Sequence, residues 1–209
     1  MVSDASIRFF EQQFQRQVGA ADLRLNPFEE RALPYLSGRV LDYGCGLGNL
    51  AVAAARQGCT VTALDGSPTA IAHLRSAAKA DGLTIEALQA DLRSFALKGE
   101  FDTVVAIGLL MFLDCPAALR KLAELQSHLR PGGVAIINVL EQGTTYLDMF
   151  DPEGHCLFGP QEIAQHFAGW EILSLKHEEF PAPDGLVKRF ATLIARKPEK
   201  PTHRDGAVM

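Results

Sequence analysis

Residues 40–51, VLDYGCGLGNLA, restrict what this chain can be more than any other stretch. An apolar run reaching Asp42 gives way to Gly44-x-Gly46-x-Gly48, and a small-residue segment over 50–56 follows with helical character. The pattern reads as a strand, a ligand loop and a helix. A tight turn from strand to helix needs a positive φ or a missing Cβ, and so does a ligand lying close on the backbone. The loop also delivers a helix N-terminus, whose unpaired N–H groups can face a polar ligand. Asn49 stands where a dinucleotide fingerprint has its third glycine, which turns the reading away from nicotinamide cofactors.

Two more strands of the same kind follow. The apolar run 59–64 ends in Asp65, 17 residues after Gly48, and the run 84–90 ends in Asp91. With Asp42 this makes three strands that each finish in a carboxylate. Ligands of open α/β sheets bind outside the carboxyl ends of the strands. Asp65 is placed to accept both hydroxyls of a ribose, and Asp91 either to meet an adenine amino group or to cap the turn before Phe95. Gly66 and Ser67 lead into a helix over 68–80, with Ser67 as N-cap, Pro68 at its first position and Gly82 closing it. Before the first strand, 6–18 and 28–36 read as helices. Ile7, Phe10, Phe14 and Val18 give the first an apolar face, which either pads the core or lids the ligand.

In the second half, 100–110 holds FDTVVAIG, a nearly continuous apolar run suited to a central parallel strand. Its continuation IGLLMFL, 107–113, is apolar where loops are normally polar, so it walls a ligand or starts an inward-packing helix. A helix over 116–128, an LRPGG turn and a strand over 134–140 follow. Periodicity fails across 141–159, and a loop this long in a compact domain is usually functional or disordered. A short helix over 160–167 precedes two strands, 170–178 and 188–196, joined closely enough to be antiparallel neighbours. The organisation expected is a helical cap at 1–38, one domain at 39–197 and a loose tail at 198–209.

Charge narrows the partners. With 20 basic and 25 acidic residues the net charge is −5, so no basic surface for nucleic acid is expected and a small-molecule partner is the default. The four cysteines show no C-x-x-C pairing and read as free thiols in a reducing compartment. His155 beside Cys156 lacks further ligands at suitable spacing, so no metal site is expected. No apolar run is long enough to span a bilayer and no leader opens the chain, which reads as cytoplasmic.

The G-x-G-x-G loop after an acid, the acid-ended strands, the central apolar strand, the P-G-G turn and the closing hairpin together resemble class I S-adenosylmethionine (SAM) dependent methyltransferases across 40–197. The resemblance implies an α/β, Rossmann-like, doubly wound seven-stranded sheet, mostly parallel with an antiparallel last strand. It implies SAM as cofactor, leaving as S-adenosylhomocysteine (SAH), with the methionine moiety at Gly44, Cys45 and Gly46, ribose at Asp65, and adenine near Asp91, Leu92 and Ile107. Asp42, Gly48, Gly66, Ser67 and Gly108 complete the expected cofactor-binding set. MFL at 111–113, GWE at 169–171 and RFATLIAR at 189–196 look like the tellurite-resistance (TehB-like) branch, which associates a His-Arg pair with an oxyanion substrate. His177 matches that histidine, but Glu178 stands where the arginine would be, and an acid there works against an anionic substrate.

Methyl transfer from a sulfonium needs alignment and exclusion of water more than an acid/base dyad. A proton acceptor, where the substrate needs one, is expected at His177, whose neutral form is available near physiological pH; a structural role in its strand is the alternative. Lys188 and Arg189 either hold an anion or are solvated edge charges. The competing classes are a SAM-binding protein without turnover and a nicotinamide-dependent oxidoreductase.

Overall fold

A computed structural model of the chain describes residues 4–20, 23–150 and 154–199. Strands β1 (Arg39–Tyr43), β2 (Thr60–Asp65), β3 (Ile85–Gln89), β4 (Phe101–Ile107), β5 (Leu129–Leu140), β6 (Glu171–Pro181) and β7 (Val187–Arg196) form one sheet in the order β3-β2-β1-β4-β5-β7-β6. The first five are parallel, while β7 runs antiparallel to both β5 and β6. This is the seven-stranded sheet with a reversed last strand that the sequence implies.

Alternation along the central strands divides the core in two. Leu41 and Tyr43 of β1 and Val104 and Ala106 of β4 pack into one cluster; Val40 and Val105 point into the other. Each face is covered by helices, which is why these strands are apolar on both sides. Helices α3 (Asn49–Arg56) and α4 (Pro68–Asp81) contribute Leu50, Ala51, Ile71 and Leu74 to the second cluster, and α5 (Cys115–Ser127) contributes Leu122 and Leu125 to the first.

Helix α4 starts and stops where its sequence says it should. The Ser67 hydroxyl accepts from the Ala70 N–H, Pro68 takes the first turn, and Gly82 closes the helix at φ 62°. Gly48 caps α3 at φ 77°, and a Cβ there would lie 2.5 Å from a Leu74 methyl, so the third glycine of the loop is required by helix packing. Near Pro131, β5 begins earlier than the turn reading placed it. Its register against β4 jumps between Phe101/Leu129 and Thr103/Val134, so LRPGG is a bulge inside the strand, with Gly132 at φ 77°.

The N-terminal segment folds as α1 (Asp4–Ala20) and α2 (Pro27–Ala32), the latter running into a 3₁₀ turn over Leu33–Tyr35. Asn26 and Glu29 close a capping box at the start of α2. The side chain of Ile7 and residues 200–209 of the expected tail lie outside the described residues. Val18, expected on the apolar face of α1, is exposed.

The cysteines correct the sequence reading. Cys115, at the start of α5, is bonded to Cys156, 41 residues on, while Cys45 and Cys59 are free and buried. Spacing rules recognise local pairs, and this pair is brought together only by the fold, which returns Cys156 to the start of α5. The Cys156 N–H also donates to Met111 O at 3.1 Å, so the bond pins that loop beside the turn 110–112. Titration of the denatured, non-reduced protein is expected to find two reactive thiols, rising to four after reduction; four from the outset would refute the bond.

Candidate functional site

A cavity of about 610 Å³ opens at the carboxyl ends of β1 and β4, where the strand order reverses. That is the crevice in which open α/β sheets bind ligands, and the volume falls within the ~300–1,000 Å³ of small-molecule sites. Its lining brings together Asp42, Gly44, Cys45, Gly46, Asp65, Gly66, Ser67, Asp91, Leu92, Ile107 and Gly108, all singled out from the sequence. Gly48 and His177 are not among the lining residues.

The glycine loop is held from behind. The N–H groups of Gly44 and Cys45 both donate to Leu64 O at 2.8 and 2.9 Å, and Gly46 N–H donates to Asp65 Oδ2 at 2.9 Å. The N–H groups of the loop itself, ahead of the α3 N-terminus, are thus turned to the protein. Asp65 also accepts from Ser67 N–H through Oδ1 at 2.8 Å, so one carboxylate fixes the loop after β1 to the turn after β2.

The polar character of this half of the cavity is acidic. Asp42 is buried, and its Oδ2 has no hydrogen-bond partner among the described residues. Burial, with Glu29 and Asp65 as negative neighbours, pushes its carboxyl up to about 8. Burial also raises Asp65, against its backbone donors, and raises Glu29, whose carboxylate accepts from Asn26 N–H. An unpaired buried carboxylate is costly by roughly 1–3 kcal/mol or more. Its natural partner is a cation supplied by a ligand.

Helix α1 lies over this acidic half. Phe14 stands where a Cβ on Gly46 would be 3.3 Å from its ring, and Phe10 meets Phe112 edge-on at 5.0 Å between centroids. Glu11 accepts from the hydroxyls of Ser67 and Thr69 at the start of α4. Burial works against its ionisation, yet those bonds hold its carboxyl below its ordinary value. The N-terminal aromatic face packs on the cluster of Met111, Phe112 and Phe190 through Phe10 and also lines the cavity through Phe10 and Phe14. Asp91 caps its turn, accepting from Arg93 N–H and Ser94 Oγ–H at 3.1 Å, and it also lines the cavity. IGLLMFL likewise does both, with Leu110–Phe112 forming a 3₁₀ turn and Leu109, Met111, Phe112 and Leu113 walling the cavity.

The other half draws on residues that motif spacing did not single out. Asn138 on β5, Tyr146 and Met149 of the loop 141–159, and Phe190 of β7 line it, with Phe28 of α2 beside Phe190. Strand alternation could have found Phe190 and, with it, separated Lys188 from Arg189. Lys188 lines the cavity, its Nζ 5.5 Å from the centre of the Tyr146 ring, whereas Arg189 faces away and pairs with Glu179 at 2.8 Å.

His177 lies on the edge strand β6, with Nδ1 2.9 Å from Oε1 of the buried Glu141. Glu178 is bound through both oxygens by Arg31 of α2, at 2.5 and 2.8 Å. The hydrogen bonds from Arg31 hold the Glu178 carboxyl below its ordinary value, so its charge is matched 147 residues away in sequence. The repulsion expected from an acid at this position is therefore neutralised locally.

A seven-stranded sheet of this order, with a glycine loop after β1 and acids ending the first strands, is the arrangement that the class I SAM-dependent methyltransferases share, and residues 40–133 match the methyltransferase domain family. Within that class it resembles TehB. It is 26% identical over 165 residues to the probable S-adenosyl-L-methionine-dependent methyltransferase TehB of Haemophilus influenzae, covering 76% of this chain and 57% of that protein. The crystal structure of Haemophilus influenzae TehB superposes with a TM-score of 0.71 at 22% identity, over 83% of this chain and 62% of the other. Hemagglutinin 1 of Eikenella corrodens is 31% identical over 172 residues, 77% of this chain and 55% of its own length. The chain thus spans 55–57% of the length of these curated relatives. Among the described residues no helix is long and apolar enough to cross a membrane.

Proposed function

We propose that this chain transfers a methyl group from SAM to a small-molecule acceptor bound in the same cavity. The observation that carries the reading is the unpaired, buried carboxylate of Asp42 within an acidic half-cavity. SAM has two positive groups, an α-ammonium and a sulfonium, and an acid-lined pocket fits them as it would not fit the phosphates of a dinucleotide. In this reading Asp42 and the Gly44–Cys45–Gly46 turn hold the methionine part. Asp65, Gly66 and Ser67 hold the ribose, and Asp91, Leu92, Ile107 and Gly108 surround the adenine. Gly48 serves the site indirectly, by letting α3 approach Leu74.

SAM supplies, when bound, an electrophilic methyl group on sulfur. The protein's part is alignment and exclusion of water. Phe14 and Phe10 on α1 close the cofactor side, and Met111, Phe112, Met149 and Phe190 present an apolar wall on the other. The acceptor heteroatom gains the methyl, SAH leaves, and the acceptor's proton is lost to a base or to solvent. A thiol or a metalloid oxyanion is an acceptor consistent with the TehB likeness; Lys188, which lines the cavity as Arg24 does, is the cation on the side of Tyr146 and Phe190 that would meet an anionic one. The reading includes an acidic protein without nucleic-acid partners, working in the cytoplasm, where the Cys115–Cys156 bond would be exposed to reductants. It also keeps 1–38 as a cap on the domain 39–197.

His177 fits a positioning role better than proton transfer to substrate, because it reaches the buried Glu141 rather than the cavity. His177→Asn is expected to leave SAH affinity unchanged and to slow turnover by less than about tenfold, where removal of a general base costs ~10²–10⁴. A larger loss, with a bell-shaped rate profile flattened on its acid limb, would return the histidine to catalysis.

Calorimetric titration with SAH, with NAD as control, followed by transfer of labelled methyl groups to a panel of thiols, phenols, amines, selenite and tellurite, tests the function. Micromolar SAH binding with turnover is the expected result. Binding without turnover on any acceptor favours the non-catalytic SAM-binding alternative, and NAD binding favours the oxidoreductase.

A further inference from the structure

Asn138 is fully buried in an otherwise apolar strand, IINVL, and its Oδ1 has no hydrogen-bond partner among the described residues. Its Nδ2 donates to Thr192 Oγ1 at 2.9 Å, across the β5–β7 ladder, which fixes the amide and leaves the carbonyl oxygen unpaired in a residue that lines the cavity. A core with hydrocarbon at both positions would avoid burying an unmatched acceptor. The polar pair therefore points to a ligand that brings a donor.

That ligand is not the group facing Asp42. Asp42 sits on β1 opposite Val105 of β4, Val105 is opposite Ile136 of β5, and Asn138 lies two residues further along. Two strand spacings and two residues separate them by about 10 Å or more. Asn138 lies where the two halves of the cavity meet: Ile107 is its partner on β4, while Phe190, two residues from its partner Thr192 on β7, belongs to the half walled by Met111 and Phe112, which Lys188 and Tyr146 also line.

We infer that Asn138 is a specificity-determining residue of the acceptor subsite, and that the acceptor is an apolar-bodied, preferably aromatic, small molecule offering an O–H or N–H to its carbonyl oxygen, with an anionic substituent for Lys188. The inference rests on the methyltransferase reading for its division of the cavity into two halves. A fully ionised oxyanion has no hydrogen to offer Asn138 and no apolar body for the surrounding wall, so it fits less well.

The test uses the full chain saturated with SAH and a matched pair of probes, 4-hydroxybenzoate and 4-methoxybenzoate, titrated by ligand-observed NMR. The hydroxyl compound is expected to bind at least about tenfold more tightly, as a site built around a hydrogen bond discriminates against a ligand lacking it. In Asn138→Leu the preference should vanish while SAH affinity and melting temperature hold, and Asn138→Asp, which keeps an acceptor oxygen, should restore part of it. Equal binding of the pair by the wild-type protein, preference for the methoxy compound, or binding of neither would overturn the inference. A drop in SAH affinity in Asn138→Leu would do so too, by moving the residue to the cofactor side. Failure of the wild-type protein to bind SAH would remove the function proposed above, and is seen before any probe is added.

Discussion

Asp65→Ala is expected to weaken SAH binding by roughly two to four powers of ten. The carboxylate would lose two charge-assisted hydrogen bonds to the ribose, each worth about 1.5–3 kcal/mol, and every 1.4 kcal/mol is about tenfold in affinity. A second contribution is local. Asp65 accepts from Gly46 N–H at 2.9 Å and Ser67 N–H at 2.8 Å, so alanine also frees the loop that shapes the methionine site. Asp65→Asn separates the two: it keeps the side-chain shape and one acceptor oxygen, and should retain more thermal stability than alanine while still binding SAH weakly. Calorimetric titration of both variants makes the comparison. Affinity unchanged in Asp65→Ala would remove the ribose from this position.

The second large effect is a coupling between cofactor binding and pH at Asp42. Its carboxyl is raised from 3.8 to about 8 by burial and by the negative charges of Glu29 and Asp65. Because the folded value lies above the unfolded one, the protonated group contributes stability that is present below pH 3.8 and is lost as pH rises toward about 8. Without ligand the melting temperature should therefore decline across the neutral range. A cation in the cavity reverses the preference, since it stabilises the ionised form. Binding must then release a proton, and SAH affinity should rise by up to about tenfold per pH unit from pH 6 toward about 8, above which the Asp42 carboxyl is already ionised without ligand. Calorimetry in two buffers of different ionisation enthalpy counts the proton. Asp42→Asn should bind weakly at every pH, lose the slope and be at least as stable as wild type at pH 8 without ligand. A flat affinity profile in the wild-type protein would mean that Asp42 does not face the cation.

The sequence alone determined those features whose causes are local. Gly44-x-Gly46-x-Gly48 states its turn because positive φ excludes most other residues; Ser67, Pro68 and Gly82 state the limits of α4 because caps act within one turn. Apolar runs ending in Asp42, Asp65 and Asp91 state the parallel strands and the end of the sheet where a ligand sits, since strand direction and side-chain alternation follow from the backbone. The half of the cavity beside the glycine loop is built from such short segments, and its lining residues were largely legible.

Tertiary structure alone decided whatever depends on separations no motif spans. Cys115 and Cys156 are 41 residues apart and meet because the fold returns Cys156 to the start of α5. Arg31 reaches Glu178 across 147 residues and cancels the charge that made an anionic acceptor look disfavoured. His177 looks available in sequence, yet its strand lies at the sheet edge and turns the ring to Glu141. Asn138 is silent within IINVL until β7, inserted between β5 and β6, sets Thr192 beside it. A backbone constraint is carried by neighbouring residues and can be read from them, whereas the pairing of a buried polar group depends on which distant strand the topology places next to it.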